Sequence, residues 1–281
     1  MIIDAVTDSF IDSVKLLPFL FLTYLVMEYL EHKAGRKMQE AIQRAGRSGP
    51  VIGSILGAFP QCGFSTVASN LYAGRIITVG TLLAIFLSTS DEMLPIMISE
   101  NAGAAVILKI LAVKVVIGMA AGFLFDFILC GKKEGMRIEH LCEQHHCHCE
   151  EGIWKSALHH TLEIFLYLMI VSLALNLLIM WIGEGVLADL MLNRPVVGEL
   201  AAALVGMIPN CASSVAITQL YLDGVLGAGA LTAGLLSGSG VGLLVLFRVN
   251  DDYRENFKIL GLLYVTGVAG GLLVDLLGIV F

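Results

Sequence analysis

The chain has 281 residues, of which 57% are hydrophobic and only 15% charged, and its mean hydropathy is +0.84. A soluble globular domain is about 45–50% apolar and about 25% charged, so this composition excludes one and points to a polytopic membrane protein. A formal net charge of −7 gives no footprint for nucleic acid, and six cysteines without regular spacing give no disulfide framework.

Asp4, Asp8 and Asp12 precede the first apolar run, with Lys15 the single basic residue there, so the start of the chain lacks the form of a cleaved signal. Residues 13–31 are predicted as the first spanning helix, since roughly 20 apolar residues cross the hydrocarbon core. The next loop carries Lys33, Arg36, Lys37, Arg44 and Arg47. Basic loops stay cytoplasmic, which puts the N-terminus outside. Val51–Asn70 is apolar but interrupted by Pro60-Gln61-Cys62-Gly63. Ile76–Thr89 is a second apolar segment and ends in Ser88-Thr89-Ser90-Asp91-Glu92. Met93–Ser99 is too short to span and contains Pro95. A loop at Glu100-Asn101 leads into a long helix over Ala104–Cys130. A linker over 131–152 follows, then further apolar runs at Ile164–Ile182, Leu226–Phe247 and Ile259–Phe281, with a second interruption at Pro209-Asn210-Cys211-Ala212.

The two interruptions are copies. Pro209 follows Pro60 by 149 residues, and the same offset pairs Gly57 with Gly206, Cys62 with Cys211, Ser65 with Ser214 and Tyr72 with Tyr221. Without a gap it continues through Ser88/Ser237, Lys109/Lys258, Gly118/Gly267, Gly122/Gly271 and Asp126/Asp275. Chance matching of apolar segments gives shared Leu and Ala, not a constant register through Pro, Cys, Tyr, Lys and Asp, so the chain is an internal duplication. The loop charges reverse between the copies. The counterpart of the first basic loop, 183–197, holds Glu184, Asp189 and Arg194, whereas the counterpart of the bland loop near Glu100 holds Arg248, Arg254 and Lys258. The positive-inside rule then gives the halves opposite orientations. The expected fold is an all-α polytopic membrane protein of two inverted-topology repeats, about five segments each, with broken or re-entrant helices at the Pro-x-Cys motifs. Residues 1–130 form the first repeat, 131–152 a cytoplasmic His/Cys-rich linker, and 153–281 the second repeat.

A proline removes a backbone donor, and freed backbone groups inside a bilayer are tolerated only where protein or a water-filled cavity satisfies them. The polar residues behind each proline are therefore candidate site residues: Gln61, Cys62 and Ser65 in one copy, Asn210, Cys211 and Ser214 in the other. Thiolates suit soft ions, and amides and hydroxyls supply oxygen. The plainer alternatives are a small packing cysteine and helix–helix hydrogen bonds. Asp91 and Glu92 face Gly240 and Val241 in the register, so the duplication breaks at a charge; they are either ligands or proton carriers at membrane depth, or residues of a wet loop. Lys114, whose counterpart is Leu263, lies about ten residues into its helix, near the bilayer centre. It must pair or titrate, with Asp91 or Glu92 the nearest candidates in sequence, as an exchange pair or a structural bridge. Asp126 and Asp275 are expected at water-facing helix ends. The linker concentrates His140, Cys142, His145, His146, Cys147, His148 and Cys149. Such tracts bind metal, but their spacing is not that of a zinc finger, so a collecting or sensing loop fits better; a polar flexible loop is the bland alternative.

The stretches Gly57-x-x-Pro-Gln-Cys-Gly-Phe-Ser65 and Gly206-x-x-Pro-Asn-Cys-Ala-Ser-Ser214, with the His/Cys-rich linker between them, resemble the ten-segment heavy-metal exporters, a family with members described as arsenic efflux proteins and as manganese transporters. The resemblance covers nearly the whole chain and implies export of a heavy-metal ion or metalloid. It needs no cofactor besides the transported ion. The expected partners are the lipid bilayer and that ion, with homo-oligomers left open, and the expected location is the plasma (inner) membrane. No P-loop pattern is present, so coupling to protons or membrane potential is expected. A permease for a small oxyanion or organic anion is a second reading, with Lys114 and helix N-termini as the anion site. A membrane metal sensor that transports nothing is a third. No nucleophile-plus-base constellation points to an enzyme.

Overall fold

The computed structural model describes residues 48–59, 62–90, 93–129 and 196–281, together with single helical positions between 14 and 25 and between 154 and 173. The continuous stretches form ten helices: α1 (Gly49–Gly57), α2 (Cys62–Ala73), α3 (Val79–Ser88), α4 (Met93–Ser99), α5 (Ala104–Leu129), α6 (Val197–Gly206), α7 (Cys211–Leu222), α8 (Ala228–Ser237), α9 (Gly242–Val249) and α10 (Tyr253–Leu276). No strand occurs among the described residues. The offset of 149 maps α2 onto α7 and α3 onto α8 end for end, and maps α1, α4 and α5 onto α6, α9 and α10 to within a few residues.

Among the described residues, four stretches are long and apolar enough to cross a membrane: Val79–Ser99, Ala104–Leu129, Ala228–Val249 and Tyr253–Leu276. The protein is a multi-pass membrane protein. The long helices carry apolar side chains outward, among them Val116 and Phe127 of α5 and Val265 and Leu276 of α10, as a lipid-facing surface requires. By contrast, α3 and α8 are buried from their second residue to their last. An all-round buried apolar helix belongs at the centre of a bundle. At 1.5 Å per residue each is about 15 Å long, half the hydrocarbon thickness of about 30 Å.

The same contacts are made twice. α1 and α5 pack on α3, and α6 and α10 pack on α8. The short helices cross over: α9 packs on α2, and α4 packs on α7. Both apolar cores therefore mix the halves. One joins Leu82, Phe86 and Leu87 of α3 to Leu243 and Leu246 of α9 and to Ile259 and Leu263 of α10; the other joins Met93 and Met97 of α4 to Ala202, Ile217 and Leu231 of α6, α7 and α8.

Between helices in lipid there is no hydrophobic driving force, so close approach of small residues takes its place. The register pairs Gly118 and Gly122 with Gly267 and Gly271, and each pair forms a small-xxx-small face. A Cβ on Gly118 would lie 3.0 Å from the Ala84 carbonyl oxygen, and one on Gly267 would lie 3.0 Å from that of Ala233. A Cβ on Gly122 would meet the Gly80 oxygen at 2.7 Å, and one on Gly271 the Gly229 oxygen at 2.5 Å. Gly57 backs onto the Ile85 carbonyl and Gly206 onto that of Gly234, again one register apart. That is why each proline is preceded by a glycine three residues earlier.

Asp126, half-buried, and Asp275, exposed, lie near the ends of their helices. Each carboxylate accepts a backbone N–H from the first turn of the neighbouring buried helix, Gly80 at 2.9 Å and Gly229 at 2.8 Å. A carboxylate at a helix N-terminus is favoured by the dipole. One polar clasp has no second copy. Arg75 makes two parallel hydrogen bonds of 2.9 Å to Glu255, which also accepts from Tyr72 at 2.5 Å and from Asn250 at 3.1 Å. Arg75 holds a left-handed φ of 56°, a conformation its counterpart Gly224 (φ 74°) adopts without steric cost.

The close face on α10 makes a testable contrast. Gly271→Val should destabilise the protein by about 1–3 kcal/mol through overpacking against Gly229. Gly261→Val, on the same helix but with nothing within 4 Å of its Cβ position, should stay within about 0.5 kcal/mol. Thermal unfolding of the detergent-purified variants measures both, and equal losses would remove the close-packing explanation.

Candidate functional site

Two helix ends meet where α3 stops at Ser88 and α8 stops at Ser237. Each last turn is tied off by its own side chains. The Ser88 hydroxyl donates to the Ala84 carbonyl at 2.7 Å, and the Ser237 hydroxyl donates to the Ala233 carbonyl at 2.9 Å. Thr89 adds a bond to the Ile85 carbonyl at 2.8 Å. Such back-bonding satisfies carbonyls that a terminating helix leaves open. The Ser90 hydroxyl then reaches the Ala58 carbonyl at 2.6 Å, joining the end of α3 to the end of α1.

Lys114 comes in from α5 and is 1% exposed. Its ammonium donates to the Thr89 carbonyl and, at 3.0 Å, to the Leu235 carbonyl. One acceptor ends α3 and the other lies in the last turn of α8, so a single cation sits at the negative ends of two helix dipoles, one from each half of the chain. The lysine head group gains acceptors here that its counterpart Leu263, fully buried in the apolar core, has no need of.

Beside this junction lies a recess of about 10 Å³, room for one water-sized molecule, lined by Thr89, Ser90, Asn210, Ser213, Ser214, Leu235, Gly238 and Gly240. α7 begins at its edge. The Ser213 hydroxyl donates to the Asn210 carbonyl at 2.8 Å and to the Ile208 carbonyl at 3.1 Å, which fixes the turn before α7. Both halves of the chain thus line one recess at the ends of half-length helices, with hydroxyl or amide side chains on five of its eight lining residues.

Among the residues singled out by sequence, Asn210 and Ser214 line the recess, and Lys114 is bonded to two carbonyls at its wall. Ser65 is buried against α9, where a Cβ on Gly242 would touch its side chain, and Ser69, one turn on, donates to the Gly242 carbonyl at 2.6 Å. Cys62 and Cys211 are the first residues of α2 and α7. Gln61, Asp91, Glu92 and the linker residues His140, Cys142, His145, His146, Cys147, His148 and Cys149 lie outside the described residues. Among the described residues no group of three or more His, Cys, Asp or Glu side chains could hold a metal ion. Sequence reasoning missed Ser213 and Leu235 as lining residues, and with them Thr89, Ser90, Gly238 and Gly240. The signal for the last four was the Ser-x-Ser repeated at 88–90 and 237–239, which marks a second pair of polar interruptions.

A family model described as "Putative, 10TM heavy-metal exporter" matches residues 1–184. Comparison with curated proteins and with solved structures gives no match.

Replacing Lys114 with leucine, the residue at its counterpart position, should remove the ammonium from the Thr89 and Leu235 carbonyls and cost about 2–4 kcal/mol. A thermal-shift measurement on the purified variant reads this loss, and an unchanged midpoint would show that the lysine does not fasten the two helix ends.

Proposed function

The chain belongs to the ten-transmembrane heavy-metal exporter family, and on that premise we propose that it moves a heavy-metal ion or metalloid, of the manganese or arsenite class, out of the cell by alternating access around the recess between α3, α7 and α8. The observation that carries this reading is that both halves of the chain contribute to one recess, bearing hydroxyl and amide side chains, at the ends of half-length buried helices. Transport sites of secondary transporters take this form, since discontinuous helices offer oriented backbone groups at mid-membrane depth. The negative ends of α3 and α8 favour a cation or a neutral hydroxyl-bearing metalloid over an anion. The ammonium of Lys114 is engaged by two of those carbonyls, which weakens the anion-permease reading.

In this proposal the repeats are inverted, in keeping with the reversed charges of the loops at 33–47 and 248–258. The N-terminus is then outside, the linker 131–152 is cytoplasmic, and the membrane is the plasma membrane. Cys62 and Cys211 stand at the first positions of α2 and α7, where a thiol of each half can contribute to a soft-ion site. The linker residues His140 to Cys149 collect the cytosolic ion before transport. No nucleotide is needed, and the drive is a proton gradient or the membrane potential.

Purified protein in proteoliposomes, tested with manganese, zinc and arsenite, should move at least one of the three. The double variant Cys62→Ala, Cys211→Ala should lower that flux at least tenfold while keeping its thermal midpoint. Unchanged flux would remove the thiols from the site. Linker-dependent metal binding with no flux of any of the three would instead favour a membrane sensor.

A further inference from the structure

The Lys114 ammonium is buried, and backbone oxygens of two different helices accept from it. Thr89 caps α3: its ψ of 128° leaves the helical range, while its own N–H still bonds back to the Ile85 carbonyl at 3.0 Å. Leu235 lies in the last turn of α8, next to Gly234, whose carbonyl takes the Gly238 N–H at 3.1 Å. A helix leaves its last carbonyls without an intrahelical donor, and they carry the negative end of its dipole. The oxygens that hold the ammonium thus belong to two helix C-termini, one from each half of the chain.

Packing alone does not ask for a lysine here. The counterpart Leu263 is 0% exposed, so an apolar side chain fills the equivalent place in the second half. Nor is the head group placed for an anion, since it donates to carbonyls that would repel one. What the lysine adds is a single positive charge with N–H donors, set among carbonyl oxygens. Backbone carbonyls are the groups that replace the hydration shell of a monovalent cation in ion pathways. In secondary transporters the C-terminal ends of half-helices coordinate the coupling ion. The position also touches the cargo: Thr89 and Leu235, whose carbonyls accept from the ammonium, both line the recess.

We propose that the Lys114 ammonium occupies a monovalent-cation site built from the C-terminal carbonyls of α3 and α8, as a covalently tethered occupant in the place that a dissolved coupling ion would take. The two half-helices are then held together at the recess without any ion being bound or released there. A consequence for export is that it requires neither sodium nor potassium. That consequence rests on the transport reading; the cation site itself stands without it.

Vacating the site tests it. Lys114→Ala removes everything beyond Cβ, which has the outline of a propylammonium ion. In nanodiscs the purified full-length variant should unfold at a lower temperature than the wild type. Propylammonium chloride should restore at least half of that loss. Tetramethylammonium carries the charge but no N–H, and at the same ionic strength it should restore none; the wild type should respond equally to the two salts. Lys114→Met keeps an unbranched chain and drops the ammonium, so it reads the site even where the alanine variant does not fold. Sodium or potassium should raise its midpoint above the value in tetramethylammonium. Failure of every cation to raise either variant above its tetramethylammonium value overturns the proposal, as does a wild-type midpoint in Lys114→Met without added cation. In proteoliposomes the wild-type flux of manganese, zinc or arsenite should be unchanged when tetramethylammonium replaces sodium and potassium. A loss of flux in that exchange assigns coupling to a dissolved ion and overturns the tethered role. A wild type that moves none of the three, while propylammonium still rescues Lys114→Ala, would defeat the transport reading and leave the cation site standing.

Discussion

A helix that stops halfway through a bilayer leaves carbonyl groups that lipid cannot solvate. The protein contains two buried helices of about 15 Å, α3 and α8, and much of its construction serves their ends. Serine hydroxyls at 88 and 237 fold back onto the preceding turn, and the Lys114 ammonium bridges the remaining distance between the helices. Placing a cation there is doubly favourable, because it meets the carbonyls and the negative ends of both dipoles. The helix ends and the ammonium hold one another in place.

Close packing around α3 and α8 follows from the same demand. A junction of half-helices can be dry only if the surrounding helices lie tightly against it. In lipid that tightness comes from contact rather than from the hydrophobic effect. The glycine pairs 118/122 and 267/271 bring α5 and α10 down onto backbone, and Gly57 and Gly206 do so for α1 and α6. The cost is that the two halves lose independence. With α9 lying on α2 and α4 on α7, each core is assembled from both halves, and a shift in one short helix is felt across the molecule.

Much of this was written plainly in the sequence. A register constant at 149 residues carries Pro, Cys, Gly and Asp together, and the helix bounds follow it. Lys114 was recognisable as a buried cation because an ammonium inside a long apolar helix has few places to go. What it would bond to was not legible, since Thr89 and Leu235 contribute backbone carbonyls, and every residue has one. The crossed pairing of the short helices left no trace either, because α4 and α9 are apolar segments that fit several neighbours equally well. Glu199 was hidden for a different reason. A glutamate in the first turn of a helix is ordinary, and nothing local shows that its Oε2 is buried without a hydrogen-bond partner.

Duplication explains the scaffold, and its breaches are where function has to enter. Among the described residues, Lys114 stands opposite Leu263, Glu199 opposite Pro50, and the Arg75–Glu255 clasp opposite Gly224 and Val106, three polar features without a polar counterpart in the register. The lysine and the arginine each hold partners across the packed helices, which the copied half of the chain does not reproduce.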